Sequence, residues 1–271
     1  MVDSFGSPYI QVFRSELKLN LLLSLRECGK ELGDLRDELG SSGSTIIHAL
    51  QDLEEVNLTR KIDKIYELTS MGHIFSIFLK EASSMMNVLE DFQDFWVRHE
   101  VEAVPLELLK RIGELDGSYL VQDTRTDLAK VHMTFQEILL TSRKVKGASP
   151  IFHPDYISVF QNLLIAGAKV QLILTHDVLD RTLSLVDPRE LFEYIEDDML
   201  SLYLMDDLRV ALTVTENSFS LGLFSVDGTY DYGMDLISNT ESAIKWGEQL
   251  FEELLSRSER LDLRQLSFEG T

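Results

Sequence analysis

Ser44-Thr-Ile-Ile-His-Ala-Leu-Gln-Asp-Leu-Glu-Glu55, followed by Val56-Asn-Leu-Thr-Arg-Lys-Ile-Asp-Lys-Ile-Tyr-Glu-Leu68, is the stretch on which the fold turns. Ile46, Ile47, Leu50 and Leu53 recur at helical spacing, which predicts a helix over about 44–55 with one apolar face. Ser44, Thr45, His48 and Gln51 then look outward. Two short strand-like runs follow, 58–61 and 65–68, with Ile62-Asp63-Lys64 as their turn. Upstream, residues 31–39 read as a shorter helix with Leu32, Leu35 and Leu39 inward and Gly40 as its stop. The polar turn Ser41-Ser42-Gly43 joins these two helices. Before them, Ile10, Phe13, Leu17, Leu21 and Leu25 predict one amphipathic helix over 7–27. Three helices, the last two joined by a tight turn, and then a hairpin is the order of a winged helix-turn-helix.

Such a module reads DNA by presenting short polar side chains to base edges in the major groove. Ser42, Ser44, Thr45, His48 and Gln51 suit that task, although no arginine is present to pair with guanine. The hairpin carries Arg60, Lys61 and Lys64, the densest basic cluster in the N-terminal segment, placed where phosphates would lie. Net charge is −21, which argues against a broad nucleic-acid-coating surface. The acidity is uneven: residues 1–75 hold 8 basic and 12 acidic residues, and the rest hold 17 and 34. An acidic body would repel stray DNA and leave one small face for contact. One cysteine, Cys28, allows no intramolecular disulfide and no thiolate zinc cluster. The N-terminus lacks the pattern of a signal peptide, and no apolar run is long enough to span a bilayer. A cytoplasmic protein without membrane contact is the expectation.

Beyond the hairpin, Met71, Phe75, Phe78, Ala82, Met85, Leu89, Phe92 and Trp96 follow each other at intervals of four and three. This heptad seam predicts a helix of about 25 residues and a homodimer contact through Phe75, Phe78, Met85, Leu89, Phe92 and Trp96, since two heads reading two half-sites need joining. Pro105 is expected to open a helix to 115 as its first helical residue. Strand-like and helical runs then alternate: a strand at 119–121, a helix marked by Leu128, Val131, Phe135 and Ile138, and a helix over 154–166 before the strand 169–175. Helices at 178–184 and 188–196, strands at 200–204, 209–215, 219–225 and 230–237, and a helix over 240–258 complete the chain. The expected fold class is α+β or α/β: a winged helix (1–72), a long linker and dimerisation helix (73–104), and an effector-sensing domain with a mixed sheet (105–271).

The stretch His48-Ala-Leu-Gln-Asp-Leu-Glu-Glu-Val-Asn-Leu58, followed by Tyr66-Glu-Leu-Thr-Ser-Met-Gly72, resembles winged-helix regulators of the arsenic-repressor type. In that pattern the wing returns through Tyr-x-Leu-Thr-x-x-Gly, and here Thr69 is placed to cap the next helix. Metal-sensing members use paired cysteines, which Cys28 alone does not match. Pro105-Leu-Glu-Leu-Leu-Lys-Arg-Ile-Gly-Glu-Leu115, Ser149-Pro-Ile-Phe-His-Pro-Asp-Tyr156 and Trp246-Gly-Glu-Gln-Leu-Phe251 resemble archaeal, methanogen-type regulators of the filamentation-regulator family. The resemblance implies a transcription factor that binds double-stranded DNA and carries an effector domain.

The order of elements in that domain is similar to the phospholipase D fold, whose enzymes need His-x-Lys-x-x-x-x-Asp. The best register places Arg209, Ala211 and Glu216 at those positions, so the nucleophile is missing. Arg209 remains as a candidate for an anionic effector, with a strand-end salt bridge as the alternative. The six histidines show no metal-ligand spacing, His153 reads as a helix-start residue, and no cofactor motif is present. The sequence therefore points to a non-enzymatic, dimeric regulator that binds an effector without changing it. A phosphodiesterase-like hydrolase with an accessory winged helix, and a winged helix that binds protein, are the alternatives.

Overall fold

Ser15 breaks the first expected helix in two. The computed structural model describes residues 8–261; Ser7, the expected helix start, lies outside them. Two helices occupy the segment, α1 (Pro8–Phe13) and α2 (Glu16–Ser24). The Ser15 backbone is extended and its hydroxyl accepts the Lys18 amide, so it starts a new helix rather than continuing the old one. Leu21 and Leu25 still enter the core. Strand β1 (Lys30–Glu31) precedes α3 (Leu32–Leu39), which ends at Gly40 in the left-handed conformation. Helix α4 (Gly43–Glu55) is capped by Ser42, whose Oγ accepts the Thr45 amide at 3.3 Å. Strands β2 (Thr59–Ile62) and β3 (Ile65–Leu68) close through Asp63 and Lys64, with Asp63 at φ 54°.

Strand β1 was not legible in the sequence. It pairs antiparallel with β3, Lys30 opposite Tyr66, giving the sheet order β1-β3-β2. Helices α2, α3 and α4 with a small sheet of this order make a winged helix-turn-helix. Leu21, Leu35, Ile46, Leu50, Leu53 and Leu68 are buried at its centre; each contributes roughly 1.5–3 kcal/mol of apolar burial. The hairpin leads into α5 (Ser70–Asp91) through a close junction. The Thr69 hydroxyl accepts the Gly72 amide at 3.0 Å and donates to the Asn57 carbonyl at 2.6 Å. A Cβ on Gly72 would overlap the Leu58 carbonyl oxygen, so only glycine fits there. The chain gathers into two compact units, residues up to Ser84 and from Met85 on.

In the second unit the heptad seam ends early. Phe92 leaves helical geometry (φ −117°, ψ 29°), and α6 (Gln93–Arg98) begins after it. Phe92 is buried and Trp96 packs against the same core, its indole N–H donating to the Val88 carbonyl at 3.0 Å. Both were expected on the dimer seam; the turn at Phe92 shifts the helix phase and points them inward. Residues 105–115 likewise form α7 (Leu106–Leu109), with Pro105 just before it, and a 3-10 turn (Ile112–Leu115) instead of one helix.

The remaining elements are β4 (Tyr119–Gln122), α8 (Lys130–Leu140), β5 (Lys144–Ser149), α9 (Pro154–Ile165), β6 (Lys169–Leu174), α10 (His176–Leu183), α11 (Pro188–Glu196), β7 (Leu200–Leu204), β8 (Val210–Thr215), β9 (Phe219–Leu223), β10 (Met234–Ser238), α12 (Glu241–Ser256) and β11 (Glu259–Arg260). Leu128, expected on the first of these helices, lies before it and is exposed. The strands form one eight-stranded sheet in the order β11-β7-β6-β5-β8-β9-β10-β4. Strands β5, β6 and β7 are parallel and the other pairings antiparallel, which is the expected mixed sheet. Helix α12 covers one face through Trp246, Leu250 and Phe251, and the Trp246 indole donates to the Leu108 carbonyl at 3.0 Å. Helices α8 to α11 pack over the other face with Val170, Leu174, Leu200 and Leu202. Among the described residues no helix is long and apolar enough to cross a membrane.

Candidate nucleic-acid interface and ligand cavity

The outward face of α4 is as the apolar spacing predicts: Ser44, Thr45, His48 and Gln51 are exposed, while Ile46, Leu50 and Leu53 are buried. Ser42 Oγ lies 2.9 Å from Ser44 Oγ and 2.8 Å from Thr45 Oγ1, so three hydroxyls cluster at the start of the helix. This end of a helix carries partial positive charge. The wing cations differ in their surroundings. Arg60 faces Glu67 across the hairpin and binds its carboxylate at 2.6 and 2.7 Å. The Lys61 ammonium sits 4.9 Å from the centre of the Tyr66 ring. Lys64 stands exposed at the turn. Among the described residues neither lysine has a carboxylate partner, so the net positive charge of the wing rests on these two.

A second site, which the sequence did not reveal, is a cavity of about 290 Å³ in the second unit. It exists because the two faces of the sheet differ. Side chains alternate along a strand, and Leu212, Val214, Phe219, Leu221 and Leu236 fill the α12 side. Their neighbours Ala211, Thr213, Ser220, Gly222 and Asp235 face the opposite way and are small or polar. Phe135 of α8, and Tyr156 and Phe160 of α9, close the space above them.

Asp235 forms the polar end of this cavity. It is 7% exposed; Oδ2 accepts the Ser220 hydroxyl at 3.1 Å, and Oδ1 is buried without a hydrogen-bond partner among the described residues. A Cβ at Gly222 would collide with Oδ1 and with the Tyr230 hydroxyl, so that glycine makes room for both groups. Burial raises the Asp235 pKa to about 6; the Ser220 hydroxyl opposes the rise, and the Asp231 and Asp123 carboxylates add to it. Burial likewise pushes the Tyr230 and Tyr156 hydroxyls upward, so both remain neutral near pH 7. Asp123, also on the cavity wall, accepts the Val131 amide at 2.9 Å and so holds the start of α8. The described lining residues include no lysine or arginine.

Near the same cavity, His132, His153 and Asp155 bring three ligand atoms within 4.8 Å of one another, a set of the kind that holds a transition metal. His153 is also the N-cap of α9, its ring Nδ1 accepting the Asp155 amide at 3.3 Å. The grouping joins α8 to α9 and therefore left no trace in the linear spacing.

Arg209, expected to hold an anionic effector, is engaged elsewhere. Its guanidinium binds Glu100 at 2.8 Å, lies 5.5 Å from the Phe224 ring centre, and lines a pocket of about 250 Å³ with Glu102, Asp207 and Arg257. Glu100 already pairs with it. Glu216, at the far end of β8, accepts the amides of Arg143 and Lys144 at 2.8 and 3.1 Å. The positions that match the phospholipase D register are thus spread along the strand and do not converge on one site.

Residues 10–90 match the family described as the N-terminal domain of the methanogenesis regulatory protein FilR1, and residues 128–257 match that protein's middle domain. FilR1 of Methanothrix harundinacea (strain 6Ac) is 34% identical over 261 residues, covering 93% of this chain and 58% of the relative. The chain thus spans little more than half the length of that curated relative. Among solved structures, TrmBL2, an archaeal chromatin protein with a novel mode of DNA binding, aligns at 12% identity and a TM-score of 0.44 over 93% of this chain and 98% of its own. Nuc, a phospholipase D family member from Salmonella typhimurium, aligns at 7% identity and a TM-score of 0.39 over 53% and 98%.

Proposed function

We infer that the chain is a DNA-binding transcriptional regulator whose winged helix reads DNA and whose second unit binds an effector without chemically changing it. One observation carries the reading: the uncovered polar face of α4 lies in the same module as a hairpin whose Lys61 and Lys64 have no carboxylate partner among the described residues. Helix α4 enters the major groove, His48 and Gln51 meet base edges, and the wing lysines meet phosphates. Likeness to a relative named as a regulatory protein supports this role. Two copies join through the exposed apolar face of α5, placing two heads on two half-sites. The scattered positions of Arg209, Ala211 and Glu216 favour binding over phosphodiester hydrolysis.

The test is DNA binding by the full chain, on sites recovered from genomic DNA, across a salt titration. Lys61→Ala with Lys64→Ala weakens binding on every sequence and lowers the salt slope by about two. His48→Ala or Gln51→Ala costs roughly 1–3 kcal/mol on the preferred site alone. Wild-type binding by the double lysine variant at all salt concentrations would refute the wing assignment.

A further inference from the structure

We propose that the cavity of the second unit receives a small organic cation with an apolar body, its ammonium or amidinium head seated on Asp235. The proposal rests on the effector reading above and names the ligand class of that site. Four features of the cavity point the same way.

Space is the first. A buried sheet face that merely packs against helices carries branched side chains, as the α12 face does with Leu212, Val214 and Leu221. Here the small residues Gly147, Ala211, Thr213 and Ser220 line about 290 Å³ of open space, close to the lower end for small-molecule sites, roughly 300 Å³. The second is an unmet acceptor. Asp235 lines the cavity, and its Oδ1 is buried without a donor among the described residues, a state that costs free energy and that an N–H brought to this carboxylate would relieve.

Third is the sign of the charge. Asp123 and Asp235 line the wall with no lysine or arginine among the described lining residues, and His132 and His153 lie 3.3 and 3.9 Å from the Asp155 carboxylate. An anion would meet the buried Asp235 carboxylate here, and a cation would neutralise it. The fourth is the aromatic wall. Tyr230, Tyr156, Phe135 and Phe160 line the cavity, and aromatic rings attract cations at their faces and cover apolar carbon as well. The neutral tyrosine hydroxyls add no opposing charge.

Three probes share one body and differ only in the head: 4-phenylbutylamine, 4-phenylbutanol and 4-phenylbutyrate. Each is titrated into the full chain by calorimetry and thermal shift, with EDTA present to keep metal from His132, His153 and Asp155. The amine binds about tenfold more tightly than the alcohol, and the butyrate binds weakest. Asp235→Asn keeps the side-chain shape and brings the amine to within about twofold of the alcohol. Ala211→Phe fills the cavity from β8 and weakens amine and alcohol together. Tightest binding by butyrate, equal binding of all three, amine binding that survives Ala211→Phe, or no binding of any probe at millimolar concentration overturns the proposal. DNA affinity is measured separately with each probe present. Amine binding that leaves DNA affinity unchanged overturns the regulatory reading and spares the ligand class. A butyrate that occupies the cavity and shifts DNA affinity does the reverse.

Discussion

At the scale of single residues, neighbouring charges decide what the expected DNA contacts are able to do. Arg60 looks like the strongest phosphate ligand of the wing, yet Glu67 opposite it on β3 already holds its guanidinium. That pair is exposed and contributes at most about 1 kcal/mol to stability. Glu67→Gln should therefore leave the melting temperature nearly unchanged, raise DNA affinity several-fold, and steepen the salt slope by about one unit as Arg60 becomes free. An unchanged slope would place Arg60 away from the phosphates. Asp235 presents the opposite case, a carboxylate kept at a cost. Its native pKa, about 6, exceeds the ordinary 3.8, so the native state favours the protonated form. Its stabilising contribution is complete below about 3.8 and is lost as pH rises through about 6, a loss of roughly 3 kcal/mol. Asp235→Asn should match the wild type in urea denaturation at pH 4 and exceed it at pH 7.5. The same difference at both pH values would show that Asp235 is not buried with a raised pKa.

At the scale of elements, two features of α5 set the behaviour of the N-terminal unit. Its start is locked by Gly72 against the Leu58 carbonyl and by Thr69 against the Asn57 carbonyl. Gly72→Ala must displace backbone at that junction and should cost about 1–3 kcal/mol. Both tryptophans, Trp96 and Trp246, lie in the second unit. The variant should therefore show an early helical transition by circular dichroism while the tryptophan transition stays in place. A shift of both together would mean that the junction does not act on the first unit alone. Along the rest of α5, Met71, Phe78, Met85, Met86 and Leu89 are exposed, with Ile74 71% exposed, whereas Phe75 packs on Phe13 with ring centres 5.3 Å apart. On the proposed dimer reading, the seam keeps Met71, Phe78, Met85 and Leu89. Phe78→Lys with Leu89→Lys should yield a folded monomer by sedimentation that binds two-fold DNA sites without cooperativity; a wild-type monomer at micromolar concentration would remove the seam from the account.

At the scale of the whole chain, the charge distribution bears on the proposed regulatory role. Residues 76–271 carry 34 acidic and 17 basic residues, so the body repels a polyanion and the proposed DNA contact falls to the head. The same bias extends inward, where the cavity wall carries carboxylates. On the proposed effector reading, a ligand that prefers one of two conformations of the body would alter DNA affinity by that preference, typically about 1–3 kcal/mol. Anisotropy titrations with and without the amine probe should therefore differ by roughly five- to 150-fold in the full chain, and Asp235→Asn should abolish the difference.

The winged helix was legible in the sequence because its signals are local. Apolar spacing along α3 and α4, the Asp63-Lys64 turn, and the Thr69 and Gly72 pair each act within a few residues. The same holds for the helix starts at Pro154, Pro188 and Thr240 and for the apolar strands β6 to β10. What the sequence left open was decided by pairing over long separations. Strand β1 is two residues recruited by β3. Strand β5, Lys-Val-Lys-Gly-Ala-Ser, has no apolar run and becomes a strand because β6 and β8 supply hydrogen bonds on both sides. The heptad from Met71 to Trp96 continues unbroken in the sequence, and only the burial of Phe92 and Phe95 in the second core ends the seam. The cavity is the clearest instance. Gly147, Ala211, Ser220, Gly222 and Asp235 are unremarkable where they stand in the chain, and only the sheet register places them side by side. A hydrophobic pattern specifies which side of a strand is buried; whether that side is filled or left open depends on neighbours far away in sequence.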